Sequence, residues 1–286
     1  MRVAVIGSTG QLGQDLMRVF GEEAVGFAHE DLEVTDEESV VAAVHSVEPD
    51  WVLNTAAFHR VDDCEVDPTL AFAVNATGAL NVARAAADAG SGVAFFSSDY
   101  VFGGQNRKRG HPYEEGETPH PLSVYGVSKL AGEQLVMQAN PRYLVVRSAG
   151  LYGTATSRKG WTFPELMLNK ARTEGALRVV TDQVLSPTFT ADLAQKTKEL
   201  IEKDVVGLFH LTNAGECSWF EFAQGALELA GVEAKTEEIS TGQLKQRARR
   251  PSYSALDTAY LGEVGLEPLR PWKEALGDYL RVKGII

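Results

Sequence analysis

A short apolar run near the start of the chain ends at three evenly spaced glycines. The run covers residues 3–6, and the glycines are Gly7, Gly10 and Gly13. Apolar residues then recur at helical spacing until Gly21. In a strand–turn–helix unit, glycines let backbone N–H groups come close to a diphosphate, because a Cβ would be in the way. The sequence therefore predicts a dinucleotide-binding turn, although the Gly-x-x-Gly-x-x-Gly spacing differs from the more familiar Gly-x-Gly-x-x-Gly.

Strand-like runs alternate with amphipathic helical segments along much of the chain. We predict strands at residues 3–6, 24–28, 51–54, 93–98, 143–146 and 207–211. The longest predicted helices cover residues 69–89, 125–140 and 191–201. Hairpin signals are absent between these strands, which favours an α/β fold with a Rossmann-type doubly wound parallel sheet.

The alternation loosens after Arg147, and the helix at 191–201 with the strand at 207–211 looks like a return to the main sheet. We therefore expect two discontinuous units. An NAD(P)-binding Rossmann domain would cover 1–149 plus about 189–213. A smaller C-terminal α/β substrate-binding lobe would cover about 150–188 plus 214–286.

The charge of the chain limits its partners. Its 286 residues carry a formal net charge of −12, which argues against nucleic acid or an anionic membrane as the main partner. Cys64 and Cys217 form neither a disulfide framework nor a metal-ligand spacing, and they suit a reducing compartment. We find no signal segment at the N-terminus and no apolar run of ~18 residues, and so expect a cytoplasmic protein.

Several carboxylates follow the second predicted strand, roughly 20 residues after the glycine turn. Asp31, Glu33 and Asp36 all compete for a contact with the ribose or adenine edge of a dinucleotide. The alternative is an acidic loop leading into a helix, with Thr35 as the N-cap. No arginine follows this strand, so a 2′-phosphate site has little support, and His29 is the nearest candidate for one.

Tyr125 and Lys129 lie four residues apart, on the same face of a predicted helix. A phenol with a pKa near ~10 gives up its proton slowly at neutral pH, and an ammonium one turn away lowers that pKa. The spacing alone is weak, since many amphipathic helices carry such a pair on their surface. Ser98 follows the fourth predicted strand, at the edge where parallel sheets bind ligands, although an ordinary turn serine would fit there too.

The glycine turn, the strand-end hydroxyl and the Tyr–Lys pair together predict a hydride-transfer site. Reduction of a carbonyl places negative charge on its oxygen as hydride arrives from a nicotinamide. Ser98 can hydrogen-bond that oxygen and Tyr125 can protonate it. Lys129 can hold the nicotinamide ribose and keep the pKa of the phenol low.

The same residues resemble the extended short-chain dehydrogenase/reductases, and more narrowly the dTDP-4-dehydrorhamnose reductase family. Matching runs occur at residues 10–13, 54–57, 61–62, 74–76, 97–102, 125–133, 182–183, 187–188, 207–211 and 249–251. The resemblance implies NADPH- or NADH-dependent reduction of the 4-keto group of a nucleotide-activated deoxysugar. The expected pair is dTDP-4-dehydro-L-rhamnose and dTDP-L-rhamnose. A homodimer is also implied, and in some members Mg²⁺ at the dimer contact, although no metal ligand can be assigned here.

The resemblance further implies roles for individual residues. The cofactor would contact Gly7, Gly10, Gln11, Leu12, Gly13, Glu33, Val34, Ala56, Ala57, Phe58, Asn75, Tyr125 and Lys129. The substrate would contact Ser98, Asp99 and Tyr125, and the catalytic residues would be Tyr125, Lys129 and Ser98. Without the resemblance, Asn75 would be expected to face solvent, as most asparagines in the middle of a helix do.

The chain departs from the family on the substrate side. Gly150 stands where the family has an aromatic residue that would face the sugar, and Leu185 stands where it has glycine. A basic cluster near the C-terminus is either a phosphate contact or a solvated turn, and its members are Lys245, Arg247, Arg249 and Arg250.

Two other functions fit the same motifs. A nucleotide-sugar epimerase or dehydratase would keep NAD tightly bound and recycle the hydride. A regulatory subunit would bind a dinucleotide without turnover, although the intact set of Ser98, Tyr125 and Lys129 argues against it.

Overall fold

The structure, a computed structural model, describes residues 1–104, 109–155 and 160–286. The main strands of these residues are short and mostly apolar. In chain order the strands are β1 (Val3–Ile6), β2 (Ala24–Phe27), β3 (Trp51–Asn54), β4 (Gly92–Phe96), β5 (Tyr143–Arg147), β6 (Leu151–Tyr152), β7 (Ala176–Val180), β8 (Val184–Leu185), β9 (Thr188–Phe189), β10 (Gly207–His210), β11 (Asn213–Ala214), β12 (Cys217–Ser218), β13 (Lys235–Ile239) and β14 (Leu269–Pro271).

A parallel sheet of six strands forms the centre of the molecule, in the order β10-β5-β4-β3-β1-β2. The chain leaves β1 toward β2 on one side and returns to β3 on the other. The topological switch point therefore lies between β1 and β3, where open α/β sheets bind ligands beyond the carboxyl ends of their strands. The predicted α/β fold with a doubly wound parallel sheet is confirmed.

Helices cover both faces of this sheet, which explains why its inner strands are apolar on both sides. In chain order the helices of the described residues are α1 (Gln11–Phe20), α2 (Glu37–Val47), α3 (Val61–Val66), α4 (Pro68–Phe72), α5 (Ala79–Asp88), α6 (Val124–Ala139), α7 (Phe163–Glu174), α8 (Thr190–Glu202), α9 (Trp219–Leu229) and α10 (Trp272–Val282). Leu16 of α1 and Leu193 of α8 pack on one face, and Val44 of α2, Val82 of α5 and Val136 of α6 pack on the other.

A second apolar core lies among α7, α9 and α10. It is rich in aromatic rings, with Tyr152, Phe222 and Tyr279 buried against one another. Short strand pairs border it, including β7 with β13 and β6 with β9. The return of α8 and β10 to the main sheet occurs as expected. The proposed division into two units stays a prediction.

Several predicted boundaries shift. β2 ends at Phe27 and β4 at Phe96, short of the predicted 28 and 98. The N-cap of α2 is Asp36 and not Thr35, because the helix begins at Glu37. The predicted helix at 69–89 is one helical run in which a π-helical segment, Ala73–Gly78, joins α4 to α5. Among the described residues, no helix has the length and apolar character needed to cross a membrane.

Candidate active site

The three glycines hold the turn after β1 close to its neighbours. Gly7 has a φ of 81°, and a Cβ there would lie 2.5 Å from Thr55 Oγ1. A Cβ on Gly13 would lie 2.2 Å from the Gly7 carbonyl oxygen, so α1 packs directly on the turn. The N–H groups of Gly7 and Ser8 donate to Phe27 O at 2.9 and 3.1 Å. The turn is thus fixed at the switch point by its own backbone.

The N-terminus of α1 leaves backbone donors for an anion. Gly10 is its N-cap and supplies no side-chain cap. The helix makes its first internal hydrogen bond from Gln14 N–H to Gly10 O, at 2.9 Å. The N–H groups of Gln11, Leu12 and Gly13 therefore precede the hydrogen-bonded part of the helix. With the helix dipole, they suit the diphosphate of a dinucleotide.

Gln11 and Leu12 differ in what their side chains offer. The Leu12 side chain is buried between α1 and the sheet, so its backbone alone is available to a ligand. The Gln11 side chain is partly exposed, and its Nε2 donates to Ala155 O at 3.4 Å. Gln11 therefore bridges the turn and the segment after β6.

The three competing carboxylates after β2 have different partners. Asp36 Oδ1 accepts backbone N–H groups of α2 at 3.1 and 3.2 Å, and Asp31 Oδ2 accepts one from its own turn at 2.8 Å. Glu33 is partly exposed; its Oε1 accepts the Thr35 N–H at 3.1 Å, and its Oε2 lies 3.6 Å from His29 Nδ1. All three carboxylates therefore stabilise local structure, and the ribose contact of Glu33 stays a prediction of the family resemblance.

Other predicted cofactor contacts lie at the same edge of the sheet. Ala56 and Ala57 follow β3 and are partly exposed, and the Ala56 N–H donates to Asn54 Oδ1 at 3.1 Å. Val34 is buried, and its carbonyl accepts from Asn81 Nδ2 at 3.0 Å.

Asn75 is buried, contrary to the expectation for an asparagine within a helix. Its Oδ1 accepts the Phe58 N–H at 2.9 Å, and its Nδ2 donates to Phe58 O and to Ser128 Oγ, both at 3.0 Å. Ser128 Oγ donates in turn to Tyr125 O at 2.8 Å. The π-helical segment turns Asn75 inward, where it ties the segment after β3 to α6.

Ser98 and Asp99 lie just beyond the carboxyl end of β4, and both are buried. Ser98 Oγ donates to Asp99 Oδ1 at 3.0 Å and accepts the Tyr100 N–H at 3.2 Å. It also lies near enough to the Tyr125 phenol to lower the pKa of that phenol. Burial raises the pKa of Asp99 to about 6, although hydrogen bonds from Ser254 and Ser98 oppose this. The structure thus brings together the residues predicted to contact the substrate.

Tyr125 and Lys129 lie one turn apart at the start of α6. Ser123 caps this helix by accepting a backbone N–H at 3.2 Å. The Tyr125 ring meets the Tyr100 ring edge-on, with 5.7 Å between centroids. Lys129 is buried, and its ammonium lies 4.1 Å from the centroid of the Phe95 ring on β4. The pair therefore faces the sheet and is not a solvated surface pair.

The pKa values of this pair differ from expectation. Burial raises the pKa of Tyr125 above its ordinary value, while the nearby Ser98 hydroxyl acts in the opposite direction. Burial also lowers the pKa of Lys129 to about 7, although the Glu133 carboxylate opposes this. Lys129 is not among the leading influences on the phenol. The prediction that Lys129 keeps the Tyr125 pKa low is therefore wrong. Burial disfavours the charged form of both side chains, so it raises the pKa of the phenol and lowers the pKa of the ammonium.

Glu133 lies one turn beyond Lys129, and the sequence reasoning missed it. It is fully buried, and its carboxylate accepts from Arg147 Nε at 2.9 Å, from Arg147 Nη2 at 2.7 Å and from Ser97 Oγ. Tyr125, Lys129 and Glu133 occur at intervals of four residues, which places them on one stripe of α6. That spacing was the available signal.

The C-terminal basic cluster does not act as one unit. Arg250 Nη2 lies 3.0 Å from Asp62 Oδ2. The side chains of Lys245, Arg247 and Arg249 are exposed. Arg250 is therefore an ion-pair residue, whereas the other three are basic groups on the surface.

Gly150 and Leu185, the two departures on the substrate side, meet in the structure. Gly150 has a φ of 52°, and a Cβ there would lie 2.6 Å from Leu185 Cδ1. Leu185 is buried and occupies the space toward which a side chain at position 150 would point. Both the left-handed backbone and this leucine therefore favour glycine at position 150.

Gly150→Ala is expected to destabilise the fold by about 1–3 kcal/mol through overpacking and backbone strain. Leu185→Ala should cost less in the Gly150→Ala background than in the wild type, because there it also removes the clash, although not the backbone strain. Chemical denaturation measures both effects. Gly262→Ala is the control, since no heavy atom lies within 4 Å of a Cβ placed there. Equal losses at positions 150 and 262 would contradict this account of the contact.

Among the residues that the structure describes, no group of three His, Cys, Asp or Glu side chains is placed to hold a metal ion. The Mg²⁺ that the resemblance implies at a dimer contact stays a prediction.

Comparison with known proteins identifies the family. Residues 1–284 match the family described as RmlD substrate binding domain. The chain is 36% identical to the spore coat polysaccharide biosynthesis protein SpsK of Bacillus subtilis, over 98% of this chain and 97% of that protein. It is also 36% identical to a dTDP-4-dehydrorhamnose reductase of Mycolicibacterium smegmatis, over 97% of this chain and 84% of that protein.

Solved structures agree with this assignment. The crystal structure of a dTDP-4-dehydrorhamnose reductase from Bacillus anthracis in complex with NADP has a TM-score of 0.92 and 34% sequence identity. The match covers 98% of this chain and 99% of that chain. The chain therefore belongs to the dTDP-4-dehydrorhamnose reductase family of oxidoreductases, within the extended short-chain dehydrogenase/reductases.

Proposed function

We propose that this protein reduces the 4-keto group of a nucleotide-activated deoxysugar, with NADPH or NADH as the reductant. The observation that carries the proposal is that Ser98 and Tyr125 both contact Tyr100, with Lys129 one helical turn from Tyr125. Two hydroxyls at the carboxyl edge of the sheet suit a carbonyl that must accept a proton. The proposed substrate is dTDP-4-dehydro-L-rhamnose and the product dTDP-L-rhamnose, because relatives carry that reductase name.

The cofactor would lie across the switch point. We assign the diphosphate to the turn and the first turn of α1, through Gly7, Gly10, Gln11, Leu12 and Gly13. We assign the adenosine side of the cofactor to Glu33 and Val34, and the nicotinamide ribose to Tyr125 and Lys129. The part of the cofactor between them would lie against Ala56, Ala57 and Phe58. Asn75 would act through the contacts it makes with Phe58 and Ser128. When bound, the reduced nicotinamide supplies the hydride.

The protein's own residues would handle the proton. Ser98 hydrogen-bonds the keto oxygen and stabilises the negative charge that develops there. Tyr125 gives its proton to that oxygen. A raised pKa keeps the phenol protonated at neutral pH, which suits a donor, and an alkoxide is a far stronger base than a phenolate. Without substrate the Ser98 hydroxyl donates to Asp99 at 3.0 Å, so it would turn from Asp99 to the keto oxygen when the sugar binds.

The choice between the two cofactors depends on the surroundings of Glu33. Its carboxylate would repel a 2′-phosphate, whereas a protonated His29 beside it would attract one. The relative from Bacillus anthracis holds NADP. The ratio of kcat/KM for NADPH and NADH measures the preference directly, and Glu33→Gln should shift it toward NADPH.

The test is an assay of the purified protein with dTDP- and UDP-linked 4-keto sugars. Oxidation of added NADPH or NADH with formation of the reduced sugar supports the proposal. Cofactor that stays bound through purification, with no net oxidation, would indicate an epimerase or dehydratase instead. Cofactor binding without turnover of any sugar would indicate a regulatory subunit. The predicted homodimer is tested separately, by light scattering.

Ser98→Ala is expected to lower kcat by about 10²-fold, because it removes a donor from the keto oxygen. Cofactor affinity should stay within a factor of about two, since Ser98 is not assigned to the dinucleotide. Steady-state kinetics and a cofactor titration measure the two quantities. An unchanged kcat would remove Ser98 from the catalytic set.

A further inference from the structure

Asp62, at the start of α3, collects hydrogen bonds from a distant C-terminal segment, residues 247–250. Its Oδ1 accepts the N–H groups of Arg247 and Ala248, at 3.0 and 2.8 Å. Arg250 donates from Nη1 to Oδ1 at 3.3 Å and from Nη2 to Oδ2 at 3.0 Å. The Arg250 hydrogen bond is the largest of several influences that lower the pKa of Asp62 to about 2. The segment is therefore docked on α3 by a carboxylate that stays charged at neutral pH.

The Arg250 guanidinium also reaches the predicted active site. Besides Asp62, it lies near enough to the Tyr100 phenol to oppose the burial that raises the phenol's pKa, and its Nη1 donates to Ala248 O at 3.1 Å. The next residue, Pro251, packs on Gly103, where an added Cβ would lie 2.6 Å from Pro251 Cβ. Its side chain is only 15% exposed, although its neighbours Arg247 and Arg249 face solvent. Arg250 is thus held between the docked segment and Tyr100.

Tyr100 is in contact with the proposed proton donor and its partner. Its N–H donates to Ser98 Oγ at 3.2 Å, and its ring packs edge-on against the Tyr125 ring. Its carbonyl oxygen lies 2.2 Å from where a Cβ on Gly126 would be, so α6 begins directly against it. Movement of Tyr100 would therefore displace both Ser98 and Tyr125.

We propose that Arg250 is a positioning residue: docked on Asp62, it holds Tyr100 in place and, through Tyr100, orients Ser98 and Tyr125 for proton transfer. The expected effects of Arg250 on kinetics rest on the proposed function, whereas its expected effects on the positions of side chains do not. Because the docked segment lies more than a hundred residues along the chain from Tyr125, the contact makes the arrangement of the site depend on how the C-terminal region is seated.

The kinetic test uses Arg250→Met, Arg250→Lys and Asp62→Asn, with Arg249→Met as the matched control for loss of charge. A small misplacement of the reacting groups lowers the rate of a reaction steeply, so Arg250→Met should lower kcat by about 10- to 100-fold. The KM for the cofactor should be unchanged, and Arg250→Lys should recover part of the rate. Asp62→Asn should lower kcat as well, and the double variant Asp62→Asn/Arg250→Met should lose little more, since both changes act on one contact. Arg249→Met should have no effect.

Two outcomes would overturn the proposal. If Arg250→Met raises the KM for the nucleotide sugar and leaves kcat unchanged, Arg250 contacts a substrate phosphate instead. If Arg249→Met has the same effect as Arg250→Met, general charge is responsible.

A measurement without substrate separates this proposal from the proposed function. The Tyr100 and Tyr125 rings should show mutual nuclear Overhauser effects in the wild type, and Arg250→Met should weaken them while Arg249→Met leaves them intact. Unaltered effects in folded Arg250→Met would refute the positioning role, even if the enzyme acts on no sugar tested.

Discussion

Tyr125→Phe should reduce kcat by about 10³-fold, within the range that general acid catalysis contributes. The change deletes one oxygen atom, which carries the proposed proton and lies near Ser98. The ring and its edge-on contact with Tyr100 remain, so the fold should stay intact. Cofactor affinity should change little, because Lys129 and the glycine turn are untouched.

Stopped-flow or steady-state kinetics and a fluorescence titration with reduced cofactor measure these two effects separately. Tyr260→Phe is the control, since that ring is 46% exposed and packs on Phe209, which belongs to the other face of the sheet core. A Tyr125→Phe protein that keeps more than a tenth of its kcat would mean that another group donates the proton.

Lys129→Met should lower kcat/KM by about 10²-fold or more, because it removes the buried cation assigned to the nicotinamide ribose. Methionine fills a similar volume, and it relieves the desolvation that lowers the pKa of Lys129. The variant should therefore fold at least as stably as the wild type. Loss of activity together with raised thermal stability would be the expected combination, and loss of both would point to a structural role.

The pH dependence of the wild type should carry the signature of Lys129. Its pKa is lowered to about 7, so the amine is charged below that pH and neutral above it. If the cation is needed, kcat/KM falls as the pH rises through about 7. Lys129→Arg, which stays charged at all working pH values, should move this fall to much higher pH. A basic limb that is the same in wild type and Lys129→Arg would assign the titration to another group.

The sheet and the glycine turn could be predicted from the sequence because both depend on local patterns. Residues 3–6 are apolar and mostly β-branched, and three glycines follow at a fixed spacing, so the strand, the turn and the helix are encoded within twenty residues. The spacing predicted Glu33 only as one of three carboxylates, and the family resemblance selected it. The hydrogen bonds do not choose among the three, because each accepts a local backbone N–H.

Other parts of the site depend on contacts between distant residues. Asn75 is inside the protein because a π-helical segment interrupts the run from α4 to α5, and no periodicity in the sequence shows that. The pKa of Lys129 is lowered because its side chain is buried, and the spacing of Tyr125 and Lys129 does not show how deeply a side chain is buried. Gly150 and Leu185 each looked like an isolated departure, and only their contact shows that one requires the other.

The central claim is that hydride from a nicotinamide arrives at the C4 carbon of a nucleotide-linked keto sugar in this site. The most direct measurement uses NADPH or NADH deuterated at the transferable position, each of the two diastereomers in turn, with dTDP-4-dehydro-L-rhamnose as the acceptor. With one diastereomer, the product should carry one deuterium at the sugar C4 for each cofactor oxidised, as read by NMR and mass spectrometry. A product with no deuterium at C4 from either diastereomer, or no product at all, would contradict the assignment.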